Sequence, residues 1–207
     1  MDPAVALVEA YLQVNGYFTV AEYPVIEAPR RGPPRAATDI DIMAFRFPHA
    51  GHEVAAKART ASGTAFFAKD PALGCPRGQA DMIVGEVKEG QARFNPSARD
   101  PLVLATALSR FGCCTVDEAA PLVRSLLGRG QAVTGAGHLV RMVAFGSKDG
   151  DGGVPVSRRV LMDDVLRFLD SYLSDHWETL RHAQLKHPAL ALLALVQKAK
   201  SGRAPDR

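Results

Sequence analysis

Apolar residues recur along the N-terminal half of the chain at two spacings, which predict one helix and three strands. Helical spacing over residues 2–15 begins at an aspartate and a proline, both favoured at helix starts, and ends at Asn-Gly. Runs rich in β-branched and aromatic residues predict strands over 17–27, 39–47 and 80–88. The proline- and arginine-rich stretch 27–38 is typical of a loop.

The C-terminal half shows the same mixture, with helices in the majority. A helix is predicted where a capping residue precedes apolar residues at a spacing of about 3.6 residues. A strand is predicted where a run of β-branched residues lies between glycines. The predicted helices span 101–111, 115–127, 163–182 and 188–200, and the predicted strands span 138–145 and 154–161.

This order of elements favours one α/β domain, in which helices flank a central mixed β-sheet. We assign residues 1–161 to this core and treat 48–79 as an insertion that holds a short helix (53–58) and a short strand (64–68). Residues 162–201 form a C-terminal helical extension, and we expect a disordered tail over 202–207.

Composition narrows the class of protein but names no function. The chain has 207 residues and a formal net charge of +3, with 47% hydrophobic and 23% charged residues, which argues against disorder and a fibrous protein. We expect no secretory signal, because the N-terminus has no basic segment before an apolar stretch, and no membrane span, because no apolar run reaches about 18 residues. Three cysteines, two of them adjacent, are a poor disulfide framework, so we expect a reducing, cytoplasmic setting.

Charged residues interrupt two of the predicted strands. Side chains alternate across a strand, so Asp39 and Asp41 share one face, opposite Ile40, Ile42 and Ala44. Glu86 and Lys88 share a face by the same rule, about 6–7 Å apart along the strand. If the two strands are neighbours, these carboxylates converge, and hard oxygen ligands of this kind suit Mg²⁺ or Mn²⁺.

A simpler interpretation of the same residues stays open. An acidic residue two positions before a lysine arises by chance about once in a chain of this size. Glu86 and Lys88 would then be an exposed ion pair of little energetic value on an unrelated α/β protein.

The strand sequences Thr38-Asp39-Ile40-Asp41-Ile42-Met43-Ala44 and Ile83-Val84-Gly85-Glu86-Val87-Lys88, preceded by a Glu9-bearing helix, resemble the PD-(D/E)xK nuclease superfamily. The resemblance covers residues 4–146 discontinuously and implies a restriction-endonuclease-like fold. It implies that Asp41, Glu86 and the Val87 carbonyl ligate Mg²⁺ or Mn²⁺, and that Lys88 orients or deprotonates the attacking water. It gives Asp39 and Glu9 accessory metal roles, although each is as readily explained by an ion pair.

The resemblance further implies a nucleic-acid substrate, DNA rather than RNA. Phosphate neutralisation supplies most non-specific affinity for nucleic acid, so arginines near the site are the candidate contacts. These are Arg30, Arg31, Arg35, Arg93 and Arg99. Many members of the superfamily act as dimers, which allows a homodimer here. A catalytically silent nucleic-acid-binding or protein-interaction module on the same fold is the alternative.

Overall fold

A mixed sheet forms the centre of the computed structural model, which describes residues 1–27, 33–50, 69–150 and 155–202. Within these ranges the sheet has six strands, in the order β1-β2-β3-β5-β4, and β6 pairs with β5 beside β4. The strands are β1 (Phe18–Glu27), β2 (Arg35–Arg46), β3 (Asp81–Gln91), β4 (Gln131–Val133), β5 (Leu139–Lys148) and β6 (Arg158–Leu161). β1, β2 and β3 form an antiparallel meander, whereas β5 runs parallel to both β3 and β6.

Helices cover both faces of this sheet, so the predicted α/β class with a mixed central sheet is confirmed. The described helices are α1 (Pro3–Val14), α2 (Pro101–Phe111), α3 (Val116–Arg129), α4 (Met162–Asp175), α5 (Trp177–Leu180) and α6 (Pro188–Ser201). Two short 3₁₀ helices, Pro71–Leu73 and Ser97–Arg99, lie in the connections. None of the described helices is long and apolar enough to cross a membrane.

Two layers of buried apolar side chains hold the helices against the sheet. In the first layer, α1 and α4 pack through Tyr11 and Leu169 on Phe145 of β5. In the second, α2 and α3 cover the opposite face, where Leu104 and Leu126 meet Met142. Side chains alternate across each strand, so the strands contribute apolar residues to both layers, as expected for a sheet that is buried on both sides.

The C-terminal helices differ from the single long helix predicted over 163–182. α4 begins at Met162, with Leu161 at the N-cap position, so Asp163 lies in the first turn and is not the cap. His176 separates α4 from α5, and this interrupts the predicted helix. Val165 and Leu169 of α4 are fully buried in the first layer. α4 is therefore part of the main core.

The strands also depart from the prediction: β3 and β5 each end three residues later than predicted, at Gln91 and Lys148. β2 begins at Arg35, inside the stretch predicted as a loop, and pairs with β1 there. β4 was not predicted because three residues are too few to show a period. β6 begins at Arg158, later than the predicted start at 154. The short helix and strand predicted at 53–58 and 64–68 lie outside the described residues.

Half-way along the hairpin of β1 and β2, side chains two residues apart no longer face the same core layer. Ile42 belongs to the first core layer, but Ile40 belongs to the second, although residues two apart share a face in a regular strand. The prediction that Ile40, Ile42 and Ala44 share one face is therefore wrong. The change occurs opposite Glu22 of β1, which has a φ of 50°. A residue in this left-handed conformation twists the strand locally.

Candidate active site

The candidate site lies at a fork in the sheet, where β2 separates from β3. The two strands pair from Arg46 opposite Asp81 as far as Ile42 opposite Gly85, and the pairing stops there. Beyond this point the outer half of the hairpin (residues 23–27 and 35–40, here called the outer ribbon) turns towards α2. Its Val25 is fully buried in the second core layer. Asp41 and Glu86 are the first residues beyond the last pair.

Asp41 bridges the fork through its side chain. Its Oδ2 accepts a hydrogen bond of 2.8 Å from the backbone N–H of Val87. The N–H and carbonyl of one residue point to the same side of an extended strand, so the Val87 carbonyl also faces the fork. A carboxylate and a backbone carbonyl thus face the same opening.

Glu86 is a buried carboxylate at the base of the fork, only 1% exposed. Its Oε1 accepts a hydrogen bond of 2.6 Å from Asn95 Nδ2. The same oxygen lies 2.6 Å from the Lys88 ammonium. Because Glu86 is almost wholly buried, its contact with Lys88 is not the exposed surface pair that the simpler interpretation supposed.

Lys88 joins the two carboxylates. Its Nζ lies 2.6 Å from Glu86 Oε1 and 4.0 Å from Asp41 Oδ2, while its side chain remains 38% exposed. Both acidic groups therefore lie around one cationic atom, on a side chain that is partly exposed to solvent. A cation at the centre of the fork offsets the repulsion between the two carboxylates.

The surroundings make both carboxyl groups harder to ionise than usual. Burial raises the pKa of Glu86, and the nearby charge of Asp41 adds to this, against the opposing contacts of Lys88 and Asn95. Burial also raises the pKa of Asp41, opposed by the Val87 hydrogen bond and Lys88 and reinforced by the charges of Asp2 and Asp39. Carboxyl groups whose pKa values are raised by burial, beside a specific charged partner, are a feature of functional sites.

The two accessory metal candidates occupy different environments. Asp39 is exposed on the outer ribbon, and its described influence on the site is electrostatic, through the pKa of Asp41. Glu9 is engaged elsewhere: its Oε1 accepts a hydrogen bond of 2.9 Å from Thr19, and its Oε2 lies 3.1 Å from His187 Nε2. Among the described residues, no hydrogen bond or ion pair joins Glu9 to Asp41 or Glu86.

The predicted arginines do not form one described patch. Arg30 and Arg31 lie outside the described residues. Arg35 pairs with Glu27 at 3.2 Å on the outer ribbon. Arg93 is exposed and Arg99 half-buried, and both flank Asn95 in the segment after β3. The Arg99 Nε is buried without a hydrogen-bond partner among the described residues.

Sequence reasoning missed two residues of this region. Asn95 precedes a proline, a pattern that predicts a turn but gives no reason to place its amide against Glu86. Glu22 is the second residue, and it lies opposite Asp41 in the β1–β2 hairpin. The register follows from the pairs on either side, Ala21 with Ile42 and Tyr23 with Ile40. Its left-handed conformation has no sequence signal, because that region favours glycine and asparagine.

The oxygen-donor groups at the fork are of the kind that a hard divalent ion binds, but they are few. Asp41, Glu86 and the Val87 carbonyl offer oxygen donors of the kind that Mg²⁺ and Mn²⁺ prefer. In the described part of the chain, no group of three or more His, Cys, Asp or Glu side chains could hold a metal ion. A Mg²⁺ ion commonly keeps several waters and binds through one or two carboxylates, which matches this small set.

Comparison with known proteins adds no assignment. No family model matches the chain, and neither the curated proteins nor the solved structures contain a significant match.

Proposed function

We propose that this protein is a divalent-metal-dependent nuclease that hydrolyses phosphodiester bonds, in DNA rather than RNA, on a restriction-endonuclease-like fold. The observation that carries the proposal is the convergence of Asp41 and Glu86 around Lys88 Nζ at the fork. The antiparallel β1-β2-β3 meander followed by a parallel β5 supports it, because these strands bring the two short motifs together.

In the proposed reaction, Asp41, Glu86 and the Val87 carbonyl would hold Mg²⁺ or Mn²⁺. Such an ion, when bound, polarises a phosphoryl oxygen and lowers the pKa of a bound water. Among the described residues, Lys88 is a cation within 4.0 Å of both carboxylates, and its partly exposed side chain could carry the ammonium to a phosphate in the fork. There it orients or deprotonates the attacking water and offsets the charge that builds up on the phosphate.

Substrate binding would need cationic groups beside the fork, since DNA affinity depends chiefly on phosphate neutralisation. Arg93 and Arg99 meet this need, because both lie in the segment that also carries Asn95 and are joined to β3 through it. Their charge-to-neutral variants should weaken DNA binding and reduce its salt dependence together.

The test is cleavage of plasmid, single-stranded DNA and RNA with Mg²⁺ or Mn²⁺, each compared with a chelator control. Asp41→Asn, Glu86→Gln and Lys88→Met should each lower the rate by about 100-fold or more, because each removes either a carboxylate that would hold the metal ion or the lysine that acts on the attacking water. Glu89→Gln and Lys148→Met are matched controls at exposed positions of β3 and β5, and they should cleave at the wild-type rate. Cleavage that survives in the Glu86→Gln/Lys88→Met double variant would disprove the mechanism.

A catalytically silent nucleic-acid-binding module is the second candidate, and one observation favours it. Lys88 Nζ lies 2.6 Å from Glu86 Oε1 and already neutralises that carboxylate. Calorimetry separates the two functions: DNA binding with no binding of Mg²⁺ or Mn²⁺ would favour the silent module over the nuclease.

A further inference from the structure

Asn95 lies between β3 and α2, in a segment that the core holds in place. The segment starts from a backbone hydrogen bond of 2.9 Å between Ala92 N and the Lys148 carbonyl of β5. Ala92, Phe94 and Ala98 are buried in the second core layer. Asn95 is therefore presented to the fork by a segment fixed at both ends.

Two hydrogen bonds determine which way the Asn95 amide points. The Ala98 backbone N–H donates to Asn95 Oδ1 at 2.7 Å, which satisfies a free donor of the 3₁₀ helix Ser97–Arg99. A backbone N–H can only donate, so the atom that faces Ala98 must be the oxygen. The Nδ2 group must then face Glu86, where it donates to Oε1 at 2.6 Å.

This donor acts on the same oxygen that Lys88 contacts. Without Asn95, the buried Glu86 carboxylate would have Lys88 as its one remaining described donor and would be free to turn with that flexible side chain. With Asn95, the carboxylate is tied to a rigid segment whatever position Lys88 takes. Hydrogen bonds of this kind orient metal-binding carboxylates, and their loss commonly lowers metal affinity 10–100-fold.

We propose that Asn95 is a positioning residue, which holds the Glu86 carboxylate in the orientation that binds a divalent ion at the fork while Lys88 moves between Glu86 and substrate. This inference rests on the proposed metal-dependent function. Asn95 lies outside the set of Asp41, Glu86 and Lys88. In this proposal its hydrogen bond keeps the Glu86 carboxylate in place when Lys88 moves away from it.

The test compares a variant that removes the Asn95 amide with a control that weakens the start of the neighbouring helix α2. Asn95→Ser keeps a short acceptor for the Ala98 N–H but cannot reach Glu86. Asp100→Ala removes the acceptor for Leu102 N at the start of α2, a bond of 2.7 Å with no described contact to Glu86. Calorimetric titration with Mn²⁺ should give affinity at least about tenfold weaker for Asn95→Ser and wild-type affinity for Asp100→Ala.

The outcomes separate this inference from the proposed function. Wild-type Mn²⁺ affinity in Asn95→Ser, with binding by the wild-type protein, overturns the role of Asn95 and leaves the nuclease proposal in place. Absence of Mn²⁺ binding by the wild-type protein overturns both. Equal weakening in both variants also overturns the role of Asn95, because the loss would then follow from general destabilisation.

A second measurement checks the contact itself without metal. The side-chain amide signal of Asn95 in a ¹⁵N–¹H spectrum, assigned from its loss in Asn95→Ser, should shift in Glu86→Gln, because the acceptor loses its charge. It should stay in place in the Glu89→Gln control. An Asn95 signal that does not respond to Glu86→Gln contradicts the proposed hydrogen bond.

Discussion

At the scale of single residues, Glu86 lies in surroundings that disfavour its own charge. It is 1% exposed, and the negative Asp41 lies on the other side of the same lysine. Burial of a carboxylate costs free energy that partners only partly recover. The raised pKa of Glu86 expresses this net cost. Such a group is retained at the expense of stability, as is common for residues with a chemical function.

This cost predicts a pH-dependent gain in stability for Glu86→Gln. A carboxyl whose pKa is higher in the folded than in the unfolded state binds more protons when folded, so its contribution to stability is lost as pH rises. The wild-type protein should therefore lose stability between the unfolded pKa, about 4.3, and pH 7, relative to Glu86→Gln. Urea unfolding at pH 4.5 and pH 7 measures this difference.

The exposed Glu89→Gln variant provides the baseline for that comparison. The pH-dependent gain of Glu86→Gln is measured relative to this variant. If Glu86→Gln is less stabilising at pH 7 than at pH 4.5, the pKa of Glu86 is lowered in the folded state, and the assigned balance between burial and Lys88 is wrong.

At the scale of elements, the outer ribbon decides where Asp41 lies. β2 pairs with both neighbours up to Ile42, and beyond it pairs with β1 alone. The separation leaves the Val87 N–H without a strand partner, and Asp41 takes its place through a side chain. Glu22, in its left-handed conformation, lies at the same level of the hairpin. The fork therefore depends on a bend in the edge strand as much as on β3.

Substitutions at Glu22 measure how much strain this bend contains. Ala and Gly both remove the carboxylate that accepts from Asp2 N at 2.7 Å, so the difference between them isolates the backbone. In the left-handed region an Ala is disfavoured by about 1–2 kcal/mol, so Glu22→Gly should be more stable than Glu22→Ala by about 1 kcal/mol. Chemical denaturation gives the difference directly.

Ala21, the preceding residue of β1, is the matched control. At an ordinary strand position glycine is less stable than alanine by about 0.5–1 kcal/mol, so Ala21→Gly should destabilise the protein. Should Glu22→Gly also prove less stable than Glu22→Ala, Glu22 does not hold the left-handed conformation, and the bend must have another origin.

Features set by neighbouring residues in the sequence could be predicted, and features set by residues distant in the sequence could not. β3 and the spacing of Glu86 and Lys88 are local, and the period of two was enough to place both on one face. The face of Ile40 depends on Glu22 in the partner strand, and the orientation of Glu86 depends on Asn95 held by Ala98. Neither dependence leaves a local period, so sequence patterns alone could not show them.

At the scale of the whole molecule, a second buried polar cluster lies at the other end of β3. Asp81 and Arg141 form a bidentate ion pair, with bonds of 2.8 and 2.6 Å, and both residues are at most 2% exposed. Tyr17 donates to the same carboxylate, and Arg141 also binds the Leu73 carbonyl at 2.9 Å. The cluster joins β3, β5, the start of β1 and the segment before β3.

The C-terminal helices share the first core layer with these strands, since Val165 and Leu169 pack among Ile83 and Phe145. We therefore expect the core and the C-terminal helices to unfold as one cooperative unit. The single tryptophan, Trp177, lies on α5 and reports on the C-terminal helices, while far-UV circular dichroism reports on the whole chain. In urea, the two probes should give the same midpoint.

Asp81→Asn tests the same cooperativity from the buried ion pair at the start of β3. It leaves the Arg141 charge buried and without its counter-ion, which should cost about 3–5 kcal/mol. If the chain unfolds as one unit, the Trp177 midpoint must fall together with the circular dichroism midpoint, although Asp81 is far from α5 along the chain. Asp163→Asn, which weakens an exposed pair with Arg167, should change neither by more than about 0.5 kcal/mol. A Trp177 transition unaffected by Asp81→Asn would instead mean that the C-terminal helices unfold as a separate unit, despite the core layer they share with the sheet.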